Sequence, residues 1–154
     1  MSNQEFMKVA IEEAYAGIEA SEGGPFGAVI VKDGKIIGRG HNQVVKRHDP
    51  TCHGEMMAIR DACEKLGTFD LSGSVIYTTG EPCPMCLGAI LWANIDMVYY
   101  GCNVVDTAKI GFRDERFYEM SKEGAKEAFM KVDHREECLA LYEEYLRKSD
   151  RTNY

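Results

Sequence analysis

Six consecutive residues, Phe26 to Val31, form an apolar run rich in β-branched side chains. A strand apolar on both sides must be covered on both faces, so the run predicts a central strand sandwiched between helices. Asp33-Gly34 follows it directly. Both positions tolerate positive φ, which predicts a tight hairpin with Lys35 to Gly40 returning antiparallel.

The rest of the chain alternates between helical and strand patterns, as in a layered α/β domain. Phe6, Met7, Ala10, Ile11, Ala14, Tyr15 and Ile18 recur at the helical period and predict an amphipathic helix near 3–20. Asp49-Pro50 reads as a helix start, continued by Met56, Ile59, Ala62, Cys63 and Leu66 and ended by Gly67. Val75 to Thr79 reads as a strand, Pro82 opens a helix to about Ala93, and Met97 to Tyr100 reads as another strand. Residues 103–125 carry no clear period. Ala128 to Val132 reads as a last strand, and Cys138, Leu141, Tyr142 and Tyr145 make a stripe on a final helix, 135–148. The expectation is a single domain over residues 1–154, with about five strands in a mixed sheet, the later ones parallel.

The formal net charge of -7 counts against binding through nucleic-acid phosphates. Lys46, Arg47 and His48 form the only local basic cluster. No apolar run reaches the roughly 18 residues of a membrane span. Glu5, Glu12, Glu13 and Glu19 argue against a secretory signal and predict a cytoplasmic protein. Of six cysteines only Cys83 and Cys86 form a tight pair, which in a reducing compartment points to metal or redox chemistry.

Two segments carry the chemistry: His53-Gly54-Glu55 and Pro82-Cys83-Pro84-Met85-Cys86. Together they match the signature of the zinc nucleobase deaminases. Zinc takes thiolate sulfur and imidazole nitrogen in a tetrahedron, and helix N-termini stabilise thiolates. His53, Cys83 and Cys86 supply three ligands, and a catalytic zinc site keeps its fourth position for water. Glu55 is then the residue to move protons. Residues two apart on a regular helix diverge, so His53 and Glu55 share a site only at a helix end.

Pro50-Thr51-Cys52-His53-Gly54-Glu55 with Glu81-Pro82-Cys83-Pro84-Met85-Cys86 resembles the cytidine-deaminase-like superfamily, and within it the small zinc-dependent bacterial guanine deaminases. The resemblance runs from Gly23-Gly24-Pro25-Phe26 to Tyr154 and is strong to about residue 118; residues 119–134 do not clearly match. It implies a three-layer α/β/α fold around a five-stranded mixed sheet, and a homodimer that can exchange C-terminal segments. It implies Zn2+ held by His53, Cys83 and Cys86, Glu55 as proton shuttle, and a purine pocket using Phe26, Asn42, Trp92, Asp114 and Tyr154. The implied reaction is hydrolysis of guanine to xanthine and ammonia. Deamination of tRNA adenosine, or of cytosine, guanosine or a pterin, is the alternative, and a structural zinc module is the non-enzymatic one. Gly54 stands where the family usually has alanine, at a cost in helix propensity of about 1 kcal/mol. Cys63, Cys102 and Cys138 read as buried, Cys52 as a spectator, and His41, His48 and His134 as surface or loop residues.

Overall fold

The computed structural model describes residues 2–154. Its elements are α1 (Asn3–Glu19), β1 (Gly27–Lys32), β2 (Lys35–His41), α2 (Val44–Arg47), α3 (Gly54–Leu66), β3 (Ser74–Gly80), α4 (Pro84–Trp92), β4 (Met97–Cys102), α5 (Val104–Lys109), α6 (Asp114–Met120) and α7 (Arg135–Leu146). A short 3₁₀ turn covers Lys126–Ala128.

The sheet order is β2-β1-β3-β4, with β1 antiparallel to β2 and β3, and β3 parallel to β4. Asp33 and Gly34 make the β1–β2 turn with positive φ. Along β1 the side chains alternate between two cores, as the period of two requires. Ala28 and Ile30 pack with Ala58 and Ala62 of α3, with Ile90 of α4 and with Ala93, which caps its end. Val29 and Val31 pack with Phe6 and Ala10 of α1 and with Tyr77. Helices therefore cover both faces of the sheet, and β1 is buried along Gly27–Val31.

Three expectations are corrected. Among the described residues the sheet has four strands, not five. The segment expected as the fifth, Ala128 to Val132, forms no strand, and Phe129, Met130 and Val132 are exposed. A strand needs a neighbouring edge for its backbone groups, and this segment pairs with none. Helix α3 starts at Gly54, not at Asp49-Pro50. The Asp49 carboxylate instead accepts the Thr51 N–H at 2.8 Å and its hydroxyl at 2.7 Å. It caps a turn, using the local chemistry that also starts helices. Cys102 and Cys138, expected to be buried, are exposed.

The pairing brings one end of the sheet into use. Gly27 opposes His41, and Gly80 lies beside Cys102, so the start of β1 and the ends of β2, β3 and β4 coincide. Phe26, Asn42 and the Glu81–Cys83 segment leave the sheet there, beside the N-termini of α3 and α4. No helix among the described residues is long and apolar enough to cross a membrane.

Candidate active site

His53 and Cys83 are the N-caps of α3 and α4, both in extended conformation. Pro84, rather than Pro82, is the first residue of α4, and its fixed φ suits that position. Cys86 falls three residues beyond the cap, in the turn that the cap side chain faces. Because His53 is outside the helical geometry and Glu55 is in the first turn, the two can approach one site despite their spacing.

His53 Nδ1 lies 3.6 Å from Cys83 Sγ and 3.5 Å from Cys86 Sγ. All three ligand atoms fall within 4.8 Å of one another. A tetrahedral zinc with ordinary Zn–N and Zn–S bonds places nitrogen and sulfur about 3.6 Å apart. The donor set and its spacing therefore fit zinc. Electrostatics agree: the Cys86 thiol, with His53, holds Cys83 down at about 4 against the effect of burial. The contact with Cys83, and burial, push Cys86 up, and Cys83 raises His53. Three groups compete for protons that a divalent cation would displace.

Glu55 is 5 % exposed. Burial pushes its carboxyl up to about 7, opposed by a backbone hydrogen bond and by His53. That is the range in which a carboxyl both takes and gives a proton at neutral pH.

A cavity of about 340 Å³ opens above these groups and is lined by His53, Glu55 and Cys83 together with Phe26, Asn42 and Asp114. Phe26 meets Phe112 edge to face, with ring centroids 4.9 Å apart. Asn42 is buried; its N–H donates to the Phe26 carbonyl at 2.9 Å, and its Oδ1 accepts the Val44 N–H at 3.1 Å. Asp114 opens α6 and is not a fully solvated loop residue; burial, then the Cys83 thiolate, raise its pKa. A Cβ on Gly54 would lie 3.0 Å from the Phe26 carbonyl oxygen. The glycine thus lets α3 seat closely on the backbone that fixes Asn42.

The structure does not bring Trp92 and Tyr154 to this cavity. They are 65 % and 76 % exposed and touch each other, ring centroids 5.7 Å apart, while Tyr154 also meets Phe69. Sequence reasoning missed other cavity residues, namely Val44, Val45, Pro50, Glu81, Phe112 and Arg113. Only the apolar character of the two valines and of Phe112 hinted at a lining role.

A family profile described as the cytidine and deoxycytidylate deaminase zinc-binding region matches residues 1–102. The chain belongs to this deaminase family. The match spans α1 to β4 and contains all three ligands. The chain is 48 % identical to the guanine deaminase of Bacillus subtilis (strain 168) over 127 residues, 82 % of this chain and 81 % of that one. The X-ray structure of guanine deaminase from Bacillus subtilis superposes with a TM-score of 0.89 at 40 % identity, covering 100 % of this chain and 99 % of that one. The tRNA-specific adenosine deaminase of Aquifex aeolicus (strain VF5) is 45 % identical over 100 residues, 65 % of this chain and 66 % of that one.

Proposed function

We propose that this deaminase hydrolyses free guanine to xanthine and ammonia. The observation that carries the reading is the cavity itself: Asn42 and Asp114 share a base-sized space with Glu55 and the metal ligands His53 and Cys83. The Asn42 amide offers both a donor and an acceptor, and the Asp114 carboxylate accepts from the N–H groups of a guanine edge. Phe26 offers a flat apolar wall to the ring. In sequence the similarity to guanine deaminase covers 82 % of the chain at 48 % identity, and that to the Aquifex tRNA enzyme 65 % at 45 %. The net charge of -7 also disfavours a tRNA substrate.

His53, Cys83 and Cys86 would hold the zinc, which when bound supplies a water acidic enough to act as nucleophile at neutral pH. Glu55 takes a proton from the attacking water and delivers it to the ring nitrogen beside the amino-bearing carbon. It then carries the second proton to the departing amine, which leaves as ammonia. Asn42 and Asp114 hold the base so that the amino-bearing carbon faces Glu55.

The working unit in this reading is a homodimer that exchanges C-terminal segments, each chain of 154 residues being one deaminase domain. Every residue of α7 is exposed, including Leu141, Tyr142, Tyr145 and Leu146. A twelve-residue helix with no residue buried among the described residues is marginal in water. Exchange gives it a surface, and carries Tyr154, which follows α7, towards the cavity of a second copy. The setting is cytoplasmic, where the cysteine ligands stay reduced.

The test is ammonia release by the zinc-loaded protein from guanine, guanosine, adenine, cytosine, cytidine, pterin and a tRNA anticodon stem-loop. Turnover of guanine above all others is expected. Preference for another substrate would discard the assignment to guanine, and turnover of none would discard the enzymatic reading.

A further inference from the structure

Behind Asn42, and outside the cavity, His41 sits between two carboxylates. Its Nδ1 is 2.8 Å from Glu13 of α1 and its Nε2 is 2.7 Å from Glu22, in the turn after α1. Both ring nitrogens face acceptor-only groups, so both contacts are made only by the imidazolium, which donates from each. The His41 side chain is 18 % exposed and each glutamate's 15 %, so salt screens these contacts less than it would a fully exposed pair.

The far side of this cluster is the cavity wall. The Glu22 oxygen bound to His41 also accepts from Gln43 Nε2 at 2.5 Å. The Glu22 backbone carbonyl accepts the N–H groups of Val45 at 3.1 Å and Lys46 at 3.0 Å. Asn42 lies between His41 and Gln43 in the chain, and Asn42, Val44 and Val45 all line the cavity. One residue, Glu22, thus joins His41 on one side to the segment, Asn42 into the start of α2, that carries three cavity residues on the other.

We propose that His41 is a positioning residue: clamped between Glu13 and Glu22, it fixes the 42–45 segment and so sets the affinity of the cavity for its base. The inference rests on reading that cavity as the base pocket. It goes beyond the residues that touch substrate, because His41 does not line the cavity.

The clamp is pH-sensitive by construction. Burial opposes the charge on His41, but Glu13 and Glu22 outweigh it and hold its pKa above the ordinary value. Other charges around it are Arg39, which donates to Glu13 at 2.5 Å, and Lys46, 3.5 Å from Glu22. Across the adjoining groove lie Arg60, Asp61, Glu64 and Lys65. Loss of the His41 proton leaves one of its nitrogens without a hydrogen facing a carboxylate, and one half of the clamp opens.

The test is His41→Gln in the full-length zinc-loaded protein, with kcat and KM measured across pH 5.5–9 on whichever base the wild type deaminates best. A KM about tenfold higher with kcat within about twofold is expected, as for lost ground-state positioning. The wild-type rise in KM with alkaline pH should flatten in the variant. A drop in kcat at unchanged KM, or parallel pH profiles, would overturn the proposal. Glu22→Gln should reproduce the KM effect; if it does not, the route through Glu22 is wrong. A second readout needs no substrate, and so separates this proposal from the assignment to guanine. Backbone amide shifts of residues 42–46 should titrate together with the His41 ring in the wild type, and their independence would also overturn it.

Discussion

His53 and Cys83 hold equivalent positions in two different helices: each is an extended N-cap, and their ligand atoms lie 3.6 Å apart. Two helix starts thereby converge on one point, with positive dipole ends directed at the thiolates. Two chain segments contribute to a metal site that neither could form alone.

Metal content follows from that geometry. Cys86→Ser is expected to lower bound zinc well below one per chain and to take turnover to background, since Cys86 is buried and no other described residue joins the ligand group. Zinc added to the stripped wild type at about 100 times its Kd should stabilise it by about 2.7 kcal/mol. Metal analysis with thermal melts checks both; full zinc occupancy in the variant would mean another ligand set.

The place of Asn42 is open to a steric test. A Cβ on Gly23 would fall 2.1 Å from Asn42 Oδ1. Gly23→Ala should therefore displace the amide, raising KM more than it lowers kcat, and cost about 1–3 kcal/mol of stability through overpacking. Steady-state kinetics with a thermal melt separates the two effects. An unchanged KM would remove Asn42 from the recognition scheme.

Stability should depend on pH through the carboxylate–imidazolium cluster. His41 has a raised pKa in the folded chain, so its contribution is complete below about 6.5 and fades as pH climbs through the folded value. Gln43, then His41, hold Glu22 down at about 2, so its contribution is complete above the ordinary carboxylate range and fades as pH falls towards 2. Melting curves of wild type and His41→Gln should differ most near pH 5.5 and converge as pH rises towards 9. Curves that stay parallel would show that the cluster is not ionised as described.

The exposed α7 stripe predicts an assembly effect. Leu141→Asp with Tyr145→Asp removes no contact within the buried core, because both residues are exposed. Light scattering should shift from the mass of two chains to that of one, and turnover should fall with it. A wild type that already runs as one chain would rule out the exchange.

The metal site was legible because its chemistry needs particular residue types at particular spacings, and His53, Glu55, Cys83 and Cys86 carry them within two short segments. The first strand was legible because a continuous β-branched run has few alternatives. The helix start at Asp49-Pro50 misled because an aspartate that caps a turn and one that caps a helix look alike locally. Ala128 to Val132 misled because a short apolar run does not tell a strand from an exposed stretch awaiting a partner. The His41 cluster was invisible: its partners Glu13 and Glu22 are 28 and 19 residues away. No sequence period reports such a contact. Trp92 and Tyr154 were assigned to the pocket by resemblance, and within one chain they lie elsewhere.

The central claim, that Glu55 moves the protons of a zinc-dependent deamination, is tested most directly by ammonia release from guanine with Glu55→Gln, with zinc measured on the same sample. The account predicts about one zinc per chain, and kcat lower by about 10²–10⁴-fold or more. Turnover close to wild type at full zinc occupancy would contradict it.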